Sequence, residues 1–208
     1  MFRVAVQTLA LLAGLGMAQA RMLKLVALGD SLTAGYGLKA GQRFPEALEK
    51  ALRAKGYDVS VVNAGVSGDT LEDGLARFDW SVPPDADALM IELGANDMLR
   101  GMPVAGAQRA LSAILSKATQ NHTPTLLAGM KAAVNLGPDY RGAFDRIFPE
   151  LAAQFGVALY PFFLEGVAAD AKLNQPDGLH PNASGVSIIV ERILPAVEAL
   201  LEKARQKG

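Results

Sequence analysis

Five short apolar runs, separated from one another by stretches of helical spacing, constrain this chain more than any other feature of its sequence. The runs cover residues 23–28, 58–62, 88–93, 125–130 and 157–160. Residues 44–55, 71–80, 103–119, 140–155 and 186–204 between and after them carry apolar side chains three and four apart. Most of the runs are nearly continuous in apolar residues, as strands buried on both faces must be, and that predicts a parallel sheet. Right-handed crossovers then place the helices on both sides of it. The expected fold class is α/β, a three-layer α/β/α sandwich around a five-stranded parallel sheet. The chain has 208 residues, half of them apolar, enough for one well-cored domain. No repeat or linker divides it, so residues 21–208 are expected to form one domain.

The first twenty residues stand apart. Residues 9–17 are apolar and uncharged, Arg3 precedes them, and Ala18-Gln19-Ala20 follows with small residues at the positions a signal peptidase reads. The run is shorter than the ~20 residues that span a bilayer. It reads as a cleaved secretory signal, the alternative being a buried first helix or strand. The mature chain is expected to begin near Arg21 and to be periplasmic or secreted. With no cysteine after the expected cleavage site, no lipid anchor is expected.

Composition excludes several functions. Twenty basic residues against 21 acidic ones, a net charge of −1, do not supply the positive field that nucleic acid requires. The absence of cysteine excludes disulfides, thiolate catalysis and thiolate-bound zinc. Only two histidines are present, His122 and His180, outside any His-Glu-x-x-His pattern. No metal and no cofactor are expected, and the chain is compatible with a monomer.

Each of the first three runs ends in a polar, glycine-containing turn: Gly29-Asp30-Ser31-Leu32, Asn63 through Asp69, and Gly94-Ala95-Asn96-Asp97. In an open parallel sheet these turns share the carboxyl edge, where such folds bind ligands. Ser31 leaves its strand through Gly29 and is either a rigidly held nucleophile or a helix cap. His180 precedes Pro181 and follows Asp177 by three residues, so a local turn can bring the carboxylate to the imidazole. The alternative is a surface histidine in an Asx-type turn. The Gly68 N–H and the Asn96 amide are either oxyanion donors or turn formers. Asp97 is expected to support its turn, Asp30 to accept backbone N–H groups, and His122 to be a surface residue at a helix end.

Taken together, these blocks resemble the GDSL-type, or SGNH, hydrolases. Gly29-Asp30-Ser31-Leu32, Asn63 through Thr70, Gly94-Ala95-Asn96-Asp97 and Asp177-Gly178-Leu179-His180-Pro181 match the four ordered blocks of that family. Residues 91–101 and 160–165 look like its bacterial periplasmic subgroup of thioesterases, lysophospholipases and arylesterases. The resemblance implies a flavodoxin-like SGNH fold, with Ser31 as nucleophile, His180 as base and Asp177 orienting it. It also implies an oxyanion hole made of the Ser31 N–H, the Gly68 N–H and the Asn96 amide. The Gly-x-Ser-x-Gly elbow of ordinary α/β-hydrolases is absent, since residues 65–69 fail at Asp69.

The expected chemistry is metal-independent hydrolysis of a small-molecule acyl ester or thioester through an acyl-enzyme. Leu75, Met98 and Leu99, with Phe78, Trp80 and Met102, either line an acyl groove or pack the core. Residues 131–139 form either a rim of the site or an inert connection. Two alternatives remain at this level: a carbohydrate O-acetylesterase on the same residues, and a non-catalytic module holding a small ligand on backbone N–H groups.

Overall fold

The computed structural model describes residues 21–207. The expected signal segment therefore lies outside the described residues. Five parallel strands form one sheet in the order β2-β1-β3-β4-β5. They are β1 (Leu23–Gly29), β2 (Val59–Gly65), β3 (Ala88–Glu92), β4 (Thr125–Ala128) and β5 (Ala158–Tyr160). Strands β1, β3 and β4 are buried almost throughout, as their continuous apolar runs require. Edge strand β2 exposes Val62 and Asn63, and it runs three residues past the predicted end. That extension pairs Asn63, Ala64 and Gly65 with Ala27, Leu28 and Gly29.

The helices are α1 (Ser31–Ala34), α2 (Phe44–Ala54), α3 (Leu71–Ala76), α4 (Phe78–Ser81), α5 (Ala95–Leu99), α6 (Val104–Gln120), α7 (Pro138–Phe155) and α8 (Ala183–Arg205). Helices α2 and α8 pack together against one face of the sheet, while α3, α6 and α7 pack in succession along the other. The three-layer expectation holds. One apolar core fills both interfaces, with Phe44 and Phe163 edge to face on one side and Phe144 and Phe148 likewise on the other.

Three local expectations change. Residues 71–80 form two helices, not one, because Arg77 leaves helical geometry to bond the strand ends beneath it. The turns after β1 and β3 are the first turns of α1 and α5, too short to give a periodic signal. Helix α8 begins three residues early, at Ala183, because Asn182 caps it by accepting from the Ser184 and Gly185 N–H groups.

Candidate active site

The strand order places β1 beside β3, with the chain winding outward on both sides of that pair. The carboxyl ends of such a pair border the crevice of a doubly wound sheet. Ser31 stands at the end of β1 and Asn96 at the end of β3.

Ser31 is the first residue of α1. Asp30 is the cap: its Oδ1 accepts from the Leu32 N–H at 2.9 Å. The serine therefore does not itself cap the helix, and its hydroxyl is left for other work. Gly29 is needed because a Cβ there would lie 2.1 Å from Thr33 Oγ1 and 2.7 Å from Glu92 Oε2. The chain can thus turn sharply over the end of β3.

His180 arrives from the segment between β5 and α8, 149 residues away in sequence, and its Nε2 lies 2.9 Å from Ser31 Oγ. Its Nδ1 lies 2.7 Å from Asp177 Oδ2. Asp177 Oδ1 accepts from the Leu179 and His180 N–H groups at 2.9 and 3.0 Å. These backbone bonds, more than the imidazole, lower the Asp177 pKa to about 2, so the carboxylate stays charged wherever a neutral imidazole is useful. The Asx-type turn and the Asp–His contact, weighed as alternatives in the sequence, are the same structure.

The segment carrying His180 is tied down at several points. The Gln175 N–H donates to the His180 carbonyl at 2.7 Å, and its side-chain amide donates to the Tyr36 and Pro181 carbonyls. Asn174 donates to the carbonyls of Val167 and Asp170. The Tyr36 ring lies against the imidazole with centroids 4.7 Å apart. Neither Tyr36 nor Gln175 carries a sequence signal for this role, because each acts only through a distant partner.

Three donors are the candidates for an oxyanion hole. The Ser31 and Gly68 N–H groups have no acceptor among the described residues. Gly68 adopts φ +92°, a left-handed conformation that favours glycine. Asn96 Nδ2 donates to the Asp69 carbonyl at 3.0 Å and to Asp30 Oδ2 at 3.2 Å. Asp97 does more than support its own turn. Its buried carboxylate accepts from the Leu71 N–H at 2.9 Å and so joins the third turn to the start of α3.

Under these turns lie charged groups, and two of them, Arg77 and Glu92, carry no signal in the sequence. Buried Arg77 donates to the Gly29 and Ala64 carbonyls, to Ser81 Oγ and to Asp69 Oδ2. Glu92 is fully buried and accepts from Thr33 Oγ1 at 2.7 Å. Burial, then the neighbouring Asp30 carboxylate, raise its pKa well above the carboxylate range. Burial also raises Asp30, to about 6.

An apolar cavity of about 450 Å³ opens on the β4–β5 side of Asn96. Met98, Leu99, Met130, Val134, Phe162 and Leu179 contribute to its walls. Residues 131–134 border it, so the start of the 131–139 connection is a rim. Leu75 does not line it: α3 packs against α6, and Leu75 rests on the core there. Phe78 is buried in the core and Trp80 is exposed, both away from the cavity. His122, at φ +53° beyond α6, is far from this edge.

A parallel α/β/α sandwich with a hydrogen-bonded serine, histidine and aspartate at the carboxyl edge of its sheet has the architecture of a serine hydrolase. The sequence signature of the GDSL-like lipase/acylhydrolase family matches residues 27–188, and the chain belongs to that family. It is 41% identical over 184 residues to the esterase TesA of Pseudomonas aeruginosa, covering 88% of this chain and 92% of that protein. It is 36% identical over 178 residues to the thioesterase 1/protease 1/lysophospholipase L1 of Escherichia coli, covering 85% and 84%. The crystal structure of TesA superposes with a TM-score of 0.81 at 40% identity, over 85% of this chain and 99% of that one. The chain is a carboxylic ester hydrolase of this family.

Proposed function

We propose that the chain hydrolyses acyl esters and thioesters through an acyl-enzyme on Ser31. The observation that carries this reading is the 2.9 Å contact between Ser31 Oγ and an imidazole whose other nitrogen is held by Asp177. His180 Nε2 takes the hydroxyl proton as Oγ attacks the carbonyl carbon. Asp177 fixes the tautomer and stabilises the imidazolium. The tetrahedral oxyanion receives hydrogen bonds from the Ser31 and Gly68 N–H groups and from the Asn96 amide, which keeps its bond to the Asp69 carbonyl and gives up its contact with Asp30. Collapse expels the leaving oxygen or sulfur, which takes the proton from His180. Water, deprotonated by the same imidazole, then attacks the ester of Ser31 and releases the acid.

The apolar cavity beside Asn96 supports acyl groups longer than acetyl, in keeping with Met98 and Leu99 on its wall. It gives less support to a carbohydrate O-acetylesterase. Ester, thioester and lysophospholipid substrates all present the same carbonyl to Ser31. The reading includes export, with residues 1–20 removed and residues 21–208 acting as one domain. It also includes action as a monomer, since every group named above comes from one chain. Among the described residues no helix is long and apolar enough to cross a membrane.

The test is an initial-rate series on p-nitrophenyl esters from acetyl to long-chain acyl, with Ser31→Ala alongside. Activity should rise with chain length beyond acetyl and vanish in the variant, which should melt like the parent. Hydrolysis of any ester at parent rates by Ser31→Ala would overturn the assignment.

A further inference from the structure

The cavity beside Asn96 carries two cations that acyl transfer does not use. Lys131 follows β4, and its Nζ lies 5.2 Å from the centroid of the Phe162 ring, itself part of the cavity wall. Arg141 stands on the first turn of α7, and its Nε is enclosed with no hydrogen-bond partner among the described residues. Neither side chain forms an ion pair among the described residues. One acid lines the same cavity, Asp145, and one of its oxygens is committed to the Ala132 N–H at 2.8 Å. The wall thus has one formal positive charge in excess.

The apolar wall suits an alkyl chain, but the two cations on it are answered by nothing an alkyl chain carries. Covering an unpaired guanidinium with hydrocarbon takes water from it and costs free energy that hydrocarbon cannot return. A carboxylate can return it, because its two oxygens match the donor fork of arginine. The ammonium of Lys131, steadied over an aromatic face, adds attraction of the same sign from the rim. The rest of the wall is apolar, so the anion must come at the end of a hydrocarbon spacer.

We propose that the cavity selects acyl groups with a carboxylate at the end distal to the scissile carbonyl, that is, half-esters of dicarboxylic acids. Arg141 is the anion's partner and Lys131 a supporting charge. The inference rests on the reading that Ser31 hydrolyses acyl esters. An anionic leaving group is the other substrate chemistry that could use these cations, and the experiment separates the two.

Initial rates would be compared for p-nitrophenyl hexanoate, p-nitrophenyl hydrogen adipate, and a hexanoate whose phenol carries a sulfonate. Each result is read as a ratio to the neutral hexanoate, so a loss common to all esters cancels. Arg141→Met should lower the adipate ratio in kcat/KM by about tenfold or more, the worth of one charge-assisted hydrogen bond. Arg141→Lys should lower it less, and the sulfonate ratio should hold. In the parent enzyme, added salt should lower the adipate ratio too, a readout that needs no variant. An adipate ratio unmoved by Arg141→Met and by salt would overturn the proposal. So would a change confined to the sulfonate ester, which would assign the cations to the leaving group. If the parent hydrolysed none of the three esters, the Ser31 reading would fail first.

Discussion

At the scale of single residues, the site is set by which polar atoms are already engaged. Asp177 spends one oxygen on two backbone N–H groups and the other on the imidazole, which leaves it charged and immobile. The Ser31 and Gly68 N–H groups are unengaged, whereas Asn96 is held by Asp30 and Asp69 before any substrate arrives. An amide positioned in advance loses little freedom when charge develops beside it, and that is what makes such a donor effective. Replacing Asn96 by alanine should lower kcat by about 10²–10³ with a smaller effect on KM. A steady-state comparison on one p-nitrophenyl ester checks this, and a loss below about threefold would remove Asn96 from the oxyanion hole.

At the scale of elements, Arg77 joins pieces that would otherwise separate. Its guanidinium reaches the last carbonyl of β1, a carbonyl near the end of β2, the turn that carries Gly68, and Ser81 in α4. To do so it interrupts what the spacing of residues 71–80 predicts as one helix. Asp69, its ionic partner at 2.5 Å, offers its own carbonyl to Asn96. The residue at the break in the helix and the amide of Asn96 are thus joined through Asp69. Arg77→Met would leave the largely buried Asp69 charge without its ionic partner and the Gly29 carbonyl with the Val66 N–H alone. Losing one partner of a buried pair costs about 3–5 kcal/mol. Denaturant unfolding should show a loss of that order, accompanied by a fall in kcat. A variant as stable as the parent would mean that the carbonyls find other donors.

At the scale of the whole molecule, folding buries two carboxyls, Asp30 and Glu92, beneath the nucleophile turn. Asp69, Asn96 and His180 also face Asp30. Its pKa of about 6 means that the folded chain holds this proton more tightly than the unfolded chain does. Such a group stabilises the fold fully below the usual carboxylate pKa, and the contribution is lost as pH rises through about 6. Asp30→Asn removes the titration and keeps one of the two acceptors, for the Leu32 N–H or for Asn96, a loss that does not vary with pH. The melting temperature of the variant minus that of the parent should therefore be larger at pH 8 than at pH 5, by about 2–4 °C or more. A difference that does not vary with pH would show that Asp30 ionises without cost.

The sequence by itself determined the α/β class, the five strands and the four blocks that carry Ser31, Gly68, Asn96 and the Asp177–His180 pair. These are local properties: strand and helix periods, glycine-bearing turns, and a carboxylate three residues from an imidazole. Their legibility follows from interactions that reach no further than a few residues. The 2.9 Å approach of His180 to Ser31 was decided by the tertiary structure, with Gln175 tied to the Tyr36 carbonyl across the fold. So were the break at Arg77, the buried Glu92, the contact of Tyr36 with His180, and a cavity that takes Met98 and Leu99 but not Leu75. Each depends on residues far apart in the chain meeting, several of them where water is excluded. A burial cost or a shared acceptor of that kind has no periodic trace in the sequence, because it exists only once the sheet has closed over it.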